Sequence, residues 1–271
     1  MKRSGSPFEA HAISAWIVII ACLQCTTLAP LLAQATRNAD EVQAKTTLGD
    51  ETRAAQTKQD RAIASEPAAA IGKFPVELEA DFRWLFDGKS LAGWEGKAAW
   101  FRVEEESIVA GSLKEKIPNN EFLCTEEKFA DFELRLQVRL KGEGNNAGVQ
   151  FRSERIVNHH EVSGYQCDVG NAFGRSVWGA LYDESRRKKM LAEGPPADVN
   201  RWTKPDQWND LWIRCQAERV QLWLNGNPTV DYRESDATIS KTGIIGLQIH
   251  SGPPTEAWYR AIRLRKLPKE S

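Results

Sequence analysis

Between residues 132 and 140 apolar and polar side chains alternate without a break. Phe132, Leu134, Leu136, Val138 and Leu140 fall on one face, Glu133, Arg135, Gln137 and Arg139 on the other. A period of two marks a β-strand with one buried face. The same period runs through "LWIRCQAERVQLWLNGNPTVDY": Leu211, Ile213 and Cys215 point inward, a turn falls near Ala217 and Glu218, and Val220, Leu222 and Leu224 return. Asn225-Gly226 then signals a hairpin leading to Val230. "WFRVEEESIVAG", "AGVQFRSE", "TGIIGLQIHS" and "WYRAIRLRKL" predict further strands, the last with a basic, solvated face. Many short strands separated by Gly, Pro and Asn, with almost no helical period after residue 76, predict an all-β sandwich that starts near Phe74.

The chain before that point follows other rules. Lys2 and Arg3, an apolar run from Ile13 to Leu23 and small residues ending "LLAQA" predict a signal peptide over 1–35, cut after Ala35. The expected location is therefore periplasmic or secreted, with no membrane span in the mature chain; an uncleaved anchor and a lipoprotein site at Cys22 are the alternatives. Residues 36–75 hold no large aromatic until Phe74 and are rich in Ala, Gln, Lys, Asp and Thr. So little apolar area cannot offset the entropy of ordering, which predicts a disordered or weakly helical linker.

Composition narrows the chemistry. Lys and Arg total 36 against 37 Asp and Glu, a net charge of -1 that gives a nucleic acid no attraction. Outside the signal peptide three cysteines stand, Cys124, Cys167 and Cys215, without CxxC spacing. They support neither a disulfide framework nor a zinc site, and Cys167 and Cys215 fall on core-facing positions.

The candidate site comes from three strands whose polar faces match. "GYQCDVG" puts Tyr165, Cys167 and Val169 on one side and Gln166 and Asp168 on the other; "AGVQFRSE" opposes Val149 and Phe151 to Gln150 and Arg152. "GIIGLQIHSG" opposes Ile245, Leu247 and Ile249 to Gln248 and His250. An ordinary wet face would show Lys, Glu, Thr and Ser. Amides and a guanidinium instead supply planar hydrogen bonding suited to sugar hydroxyls and carbonyls, and an Asp such as Asp168, if within reach of His250 or Arg152, is suited to act as a general base or to hold a neighbouring group in place. If the three strands are neighbours, Gln150, Arg152, Gln166, Asp168, Gln248 and His250 floor one site. The plainer alternatives are a hydrogen-bonded sheet histidine at His250 and a simple Arg152–Asp168 ion pair.

Residues 176–202 are expected to form a long ordered loop. Trp178 and Tyr182 in it could stack on a sugar ring, with Glu184 and Arg186 or Arg187 at the rim. No nucleophile elbow, P-loop, GxGxxG, HExxH or EF-hand loop occurs, and no strand carries the carboxylate pair of ordinary retaining glycosidases. No cofactor is expected, and spacing gives no support for a divalent cation on Asp168, Glu184 or His250.

Seven stretches in order, "LFDGKSLAGWEG", "FLCTEEKFADFELRLQVRL", "NNAGVQFRS", "GYQCDVG", "GALYDESRR", "QWNDLWIRCQAERVQLWLNGNPTVDY" and "GIIGLQIHSG", resemble the motifs of the 3-keto-disaccharide hydrolase domain family. The resemblance covers about residues 76 to 268. It implies a concanavalin A-like jelly roll and cleavage of glycosides oxidised at carbon 3, where the acidic proton on carbon 2 allows elimination with one base instead of a carboxylate pair. On that chemistry Asp168 or His250 is the expected base, Arg152 the enolate stabiliser, and Tyr182 or Glu184 the acid. Gln166 departs from the family, many members of which carry Glu there. The rival readings are therefore a non-catalytic carbohydrate-binding module on the same sandwich and a purely structural cell-envelope domain.

Overall fold

The computed structural model describes residues 81–269, so the signal peptide and linker expected over 1–75 lie outside the described residues. The alternating stretches become strands of two antiparallel sheets. In chain order the first eight are β1 (Arg83–Trp84), β2 (Trp94–Glu95), β3 (Phe101–Glu104), β4 (Ser107–Ser112), β5 (Glu121–Thr125), β6 (Phe132–Gly142), β7 (Asn146–Arg155) and β8 (Val162–Ala172). They are followed by β9 (Arg175–Ser176), β10 (Leu181–Glu184), β11 (Lys189–Ala192) and one short helix, α1 (Pro196–Trp202). The last five are β12 (Asn209–Gln216), β13 (Arg219–Leu224), β14 (Asn227–Arg233), β15 (Ile244–Ile249) and β16 (Thr255–Lys266).

One sheet runs β14-β13-β12-β6-β16-β4-β3, with β1 on β16; the other runs β11-β10-β8-β7-β15-β5-β2, with β9 on β8. Their apolar faces meet. Leu134, Leu136, Ile213, Leu222, Tyr259 and Leu264 of the first sheet pack into one cluster with Val149, Phe151, Tyr165, Cys167, Leu247 and Ile249 of the second. Each such side chain contributes about 1.5–3 kcal/mol when fully withdrawn from water, which fixes both the pairing of the sheets and the register of each strand. Cys124, Cys167 and Cys215 are free and buried, and burial pushes the Cys124 and Cys215 thiols up to about 12.

Two expectations need correction. The outer face of β16 is not simply solvated: Arg263 is buried, with its guanidinium near the Phe82 ring, and Arg139 of β6 lies over Trp208 and Trp258. Residues 176–202 are not a loop but the end of β9, the β10–β11 hairpin and α1. β10 is four residues long, too short for a visible period, although Leu181 and Asp183 alternate as buried positions with Tyr182 and Glu184. α1 begins on Pro196, whose fixed φ suits a first helical position, and anchors itself through Val199. Among the described residues no helix is long and apolar enough to cross a membrane.

Candidate active site

β8, β7 and β15 are neighbours, so their polar faces form one surface. Register sets two rows across it. Gln248, Gly148 and Asp168 lie opposite one another in one row, and Gly246, Gln150, Gln166 and Tyr182 in the next. Gly148 is required to lack a side chain, because a Cβ there would stand 2.4 Å from Gln166 Cδ. The Gln166 side chain therefore lies across the backbone of β7.

That placement starts a directed chain of hydrogen bonds. Ser153 Oγ donates to Gln150 Oε1 at 2.9 Å, Gln150 Nε2 to Gln166 Oε1 at 2.5 Å, and Gln166 Nε2 to Asp168 Oδ1 at 2.6 Å. Every donor points toward Asp168, which is only 5% exposed. Burial pushes its carboxyl up to about 7; Gln166 opposes the rise by bonding the charged form, and the charge of Glu184 adds to it. Gln248, fully buried, has neither side-chain amide atom hydrogen-bonded.

Asp168 and Gln166 line a cavity of about 240 Å³ with Asn120, Asn146, Ala172, Phe173, Tyr182, Glu184 and His250. β10 supplies Tyr182 and Glu184. Burial and then the charge of Glu161 raise Glu184; burial, then Glu184 and Asp168, raise Tyr182. Both are thereby held toward the protonated form that a proton donor needs. Phe173, 70% exposed, makes an aromatic wall with Tyr182, ring centres 6.4 Å apart. His250 Nδ1 sits 2.7 Å from the Ser251 carbonyl, an acceptor only, so Nδ1 carries the proton and Nε2 is left for a ligand. Asn120 braces this corner, accepting from Ser251 N at 2.9 Å and donating to Glu161 Oε1 at 3.0 Å. Among the described residues no group of three or more His, Cys, Asp and Glu is arranged to hold a metal ion.

The expected residues therefore divide. Asp168, His250, Glu184, Gln166 and Tyr182 share the cavity. Gln150 and Gln248 are fully buried on the same strands, Gln150 as a link in the amide chain. Arg152 is elsewhere. β7 carries a bulge between Phe151 and Glu154, with Arg152 at φ +46°, which breaks the alternation. Its guanidinium reaches the other sheet instead and is held by Ala130 O, Ala217 O and Asp131 Oδ1 at 2.8, 2.8 and 2.9 Å. Arg186 also turns away: it pairs with buried Asp183 at 2.9 Å and lies 4.5 Å above the Tyr165 ring. Trp178 is 6% exposed, packs in the core and borders a different cavity. Asn120, Asn146 and Phe173 escape a strand-by-strand reading because they sit at strand ends and a hairpin tip; the clue to Phe173 is a lone aromatic in "NAFGR".

A family model described as the 3-keto-alpha-glucoside-1,2-lyase-like domain matches residues 81–265. No curated protein matches the chain. Among solved structures, a Parabacteroides distasonis protein provisionally classed as a glycosyl hydrolase superposes with a TM-score of 0.53 at 15% identity, over 71% of this chain and 99% of that one. A second from the same organism, classed likewise, gives 0.51 at 16% identity over 69% and 99%. The exoplasmic/lumenal domain of VIP36, in its form bound to Ca2+ and Man3GlcNAc, gives 0.50 at 11% identity over 72% and 92%. At these identities the likeness is one of fold.

Proposed function

The chain belongs to the 3-keto-alpha-glucoside-1,2-lyase-like family, and on that footing we propose that it cleaves the glycosidic bond of 3-keto-glycosides by elimination, on a concanavalin A-like jelly roll exported to the periplasm or beyond. The observation that carries this reading is Asp168: a buried carboxyl on the cavity floor, poised near 7 and oriented by one amide. A group half ionised near neutrality is matched to proton abstraction.

In the proposed reaction Asp168 takes the proton from carbon 2 and the electron pair moves onto the carbon 3 oxygen as an enolate. Return of that pair restores the carbon 3 carbonyl, turns the bond between carbons 1 and 2 into a double bond and breaks the bond from carbon 1 to the glycosidic oxygen, which is protonated by Glu184 or Tyr182. Water then adds across the new double bond. With Arg152 committed to the inter-sheet contact, the groups placed to stabilise the enolate are the His250 imidazole and the Asn146 amide.

A second reading, a carbohydrate-binding module without turnover, draws on the absence of Lys and Arg from the described cavity lining and on Gln166, an amide where the family resemblance implies a carboxylate. Release of aglycone from a 3-keto-glucoside separates the two, since a module binds and does not cleave. The catalytic assignment is overturned if folded Asp168→Asn and His250→Ala proteins cleave that substrate at the parent rate.

A further inference from the structure

A second cavity, of about 390 Å³, opens beside the first, between the β6–β7 turn, the end of β8 and the segment that follows α1. It is within the size range of small-ligand sites, about 300–1,000 Å³. Its lining is hydrogen-bonding and, with exposed Glu143 and Asp206, acidic rather than basic. The side-chain amides of Asn145, Asn171, Asn200 and Gln207 face no partner among the described residues, and Ser176 Oγ is buried without one. Leu140 and Trp178 give an apolar patch. Lys and Arg are absent from the described lining, so it offers an anion nothing, whereas amides that both donate and accept match hydroxyl groups, which do the same.

The two cavities share a wall. Asn146 and Ala172 line the first, while their chain neighbours Asn145 and Asn171 line the second. The wall is tied by Asn171 N–H to Asn145 O at 2.8 Å and by Asn146 Nδ2 to Asn171 O at 2.9 Å. Gly170, at φ +98°, lets these backbones close up, since a Cβ there would lie 2.1 Å from Asn145 O.

We infer that the second cavity is a subsite for a further, uncharged sugar ring, so that the substrate is an oligosaccharide lying across the Asn145–Asn146 wall. This rests on the proposed reaction in the first cavity. Binding energy from the remote ring would then be spent on placing the oxidised ring against Asp168.

The test uses two variants, Asn171→Ala/Asn200→Ala/Gln207→Ala, which trims exposed side chains only, and Asn200→Trp, which fills the cavity from its open side. Each is assayed with 4-nitrophenyl 3-keto-glucoside and with 3-keto derivatives of cellotriose and maltotriose. The expected result is a rise of about tenfold or more in KM for a keto-trisaccharide, with the aryl glucoside unchanged within twofold. Equal losses on both substrates, or no loss on either trisaccharide, would overturn the subsite. If the parent protein cleaves none of them, the proposed reaction fails separately. Calorimetric titration with cellotriose and maltotriose then decides: binding lost in both variants upholds the subsite, and binding retained, or none to the parent, refutes it.

Discussion

Replacing Asp168 by asparagine removes a charge while keeping shape and the oxygen that accepts from Gln166. The carboxyl stands at about 7 in the folded protein against an ordinary 3.8. Each tenfold change in acidity is worth about 1.4 kcal/mol, so holding Asp168 ionised costs the folded state on the order of 4 kcal/mol. The sign follows from proton counts. Between about pH 4 and 7 the folded protein holds the proton more tightly than the unfolded chain, so stability falls as pH rises through that window and levels off above it. The substituted amide does not titrate. The variant should match the parent near pH 4 and gain steadily to a plateau above pH 7, where a domain of this size melts on the order of 10 °C higher. Turnover of a 3-keto-glucoside should fall by about 10²- to 10⁴-fold. Denaturation of both proteins at half-unit steps of pH, with kinetics on the same samples, measures both effects. A stability difference independent of pH, or a variant retaining a tenth of parental turnover, would refute a buried base at this position.

Three other perturbations probe the surrounding design. Gln166→Met keeps the length but removes the bond that favours the charged carboxylate, so the rise of kcat/KM with pH, centred near 7 in the parent, should move to higher pH; an unmoved profile would dissociate the amide chain from Asp168. Arg152→Ala leaves Asp131 and two backbone carbonyls without their buried cation and should cost about 3–5 kcal/mol in urea denaturation, while KM in the folded fraction stays at the parental value; a selective change in KM would return Arg152 to the site. Gly170→Ala, at a positive φ and with Asn145 O in the way, should destabilise by about 1–3 kcal/mol, measured the same way, and a neutral result would mean that the wall is not tightly closed.

The sandwich was legible because burial of one sheet face leaves a period of two in the sequence, and Phe132 to Leu140 or Val149 to Phe151 display it directly. The same rule grouped Gln166, Asp168 and His250, which adjacent strands bring to one cavity. It misplaced Arg152 because a bulge leaves no mark in the polar–apolar pattern; Arg152 and Ser153 look like any continuation of β7. It missed the β10–β11 hairpin for want of length. Trp178 looked like a stacking platform because aromatic content reveals burial only after the neighbours are known, and Asn120 and Asn146 reach the cavity through pairing of distant strands.

The irregularity in β7 does two jobs at once. It swings a guanidinium out of the polar face, and it brings the Ser153 hydroxyl to the head of the amide chain. Deleting Ser153 would restore the pleat's phase and set a permanent cation on the polar face opposite Gly164, whose partner on β10 is Glu184, where it would favour the ionised form of that carboxyl. Within this fold, a one-residue insertion or deletion is thus an electrostatic setting for the acid, adjustable without touching any group that lines the hollow.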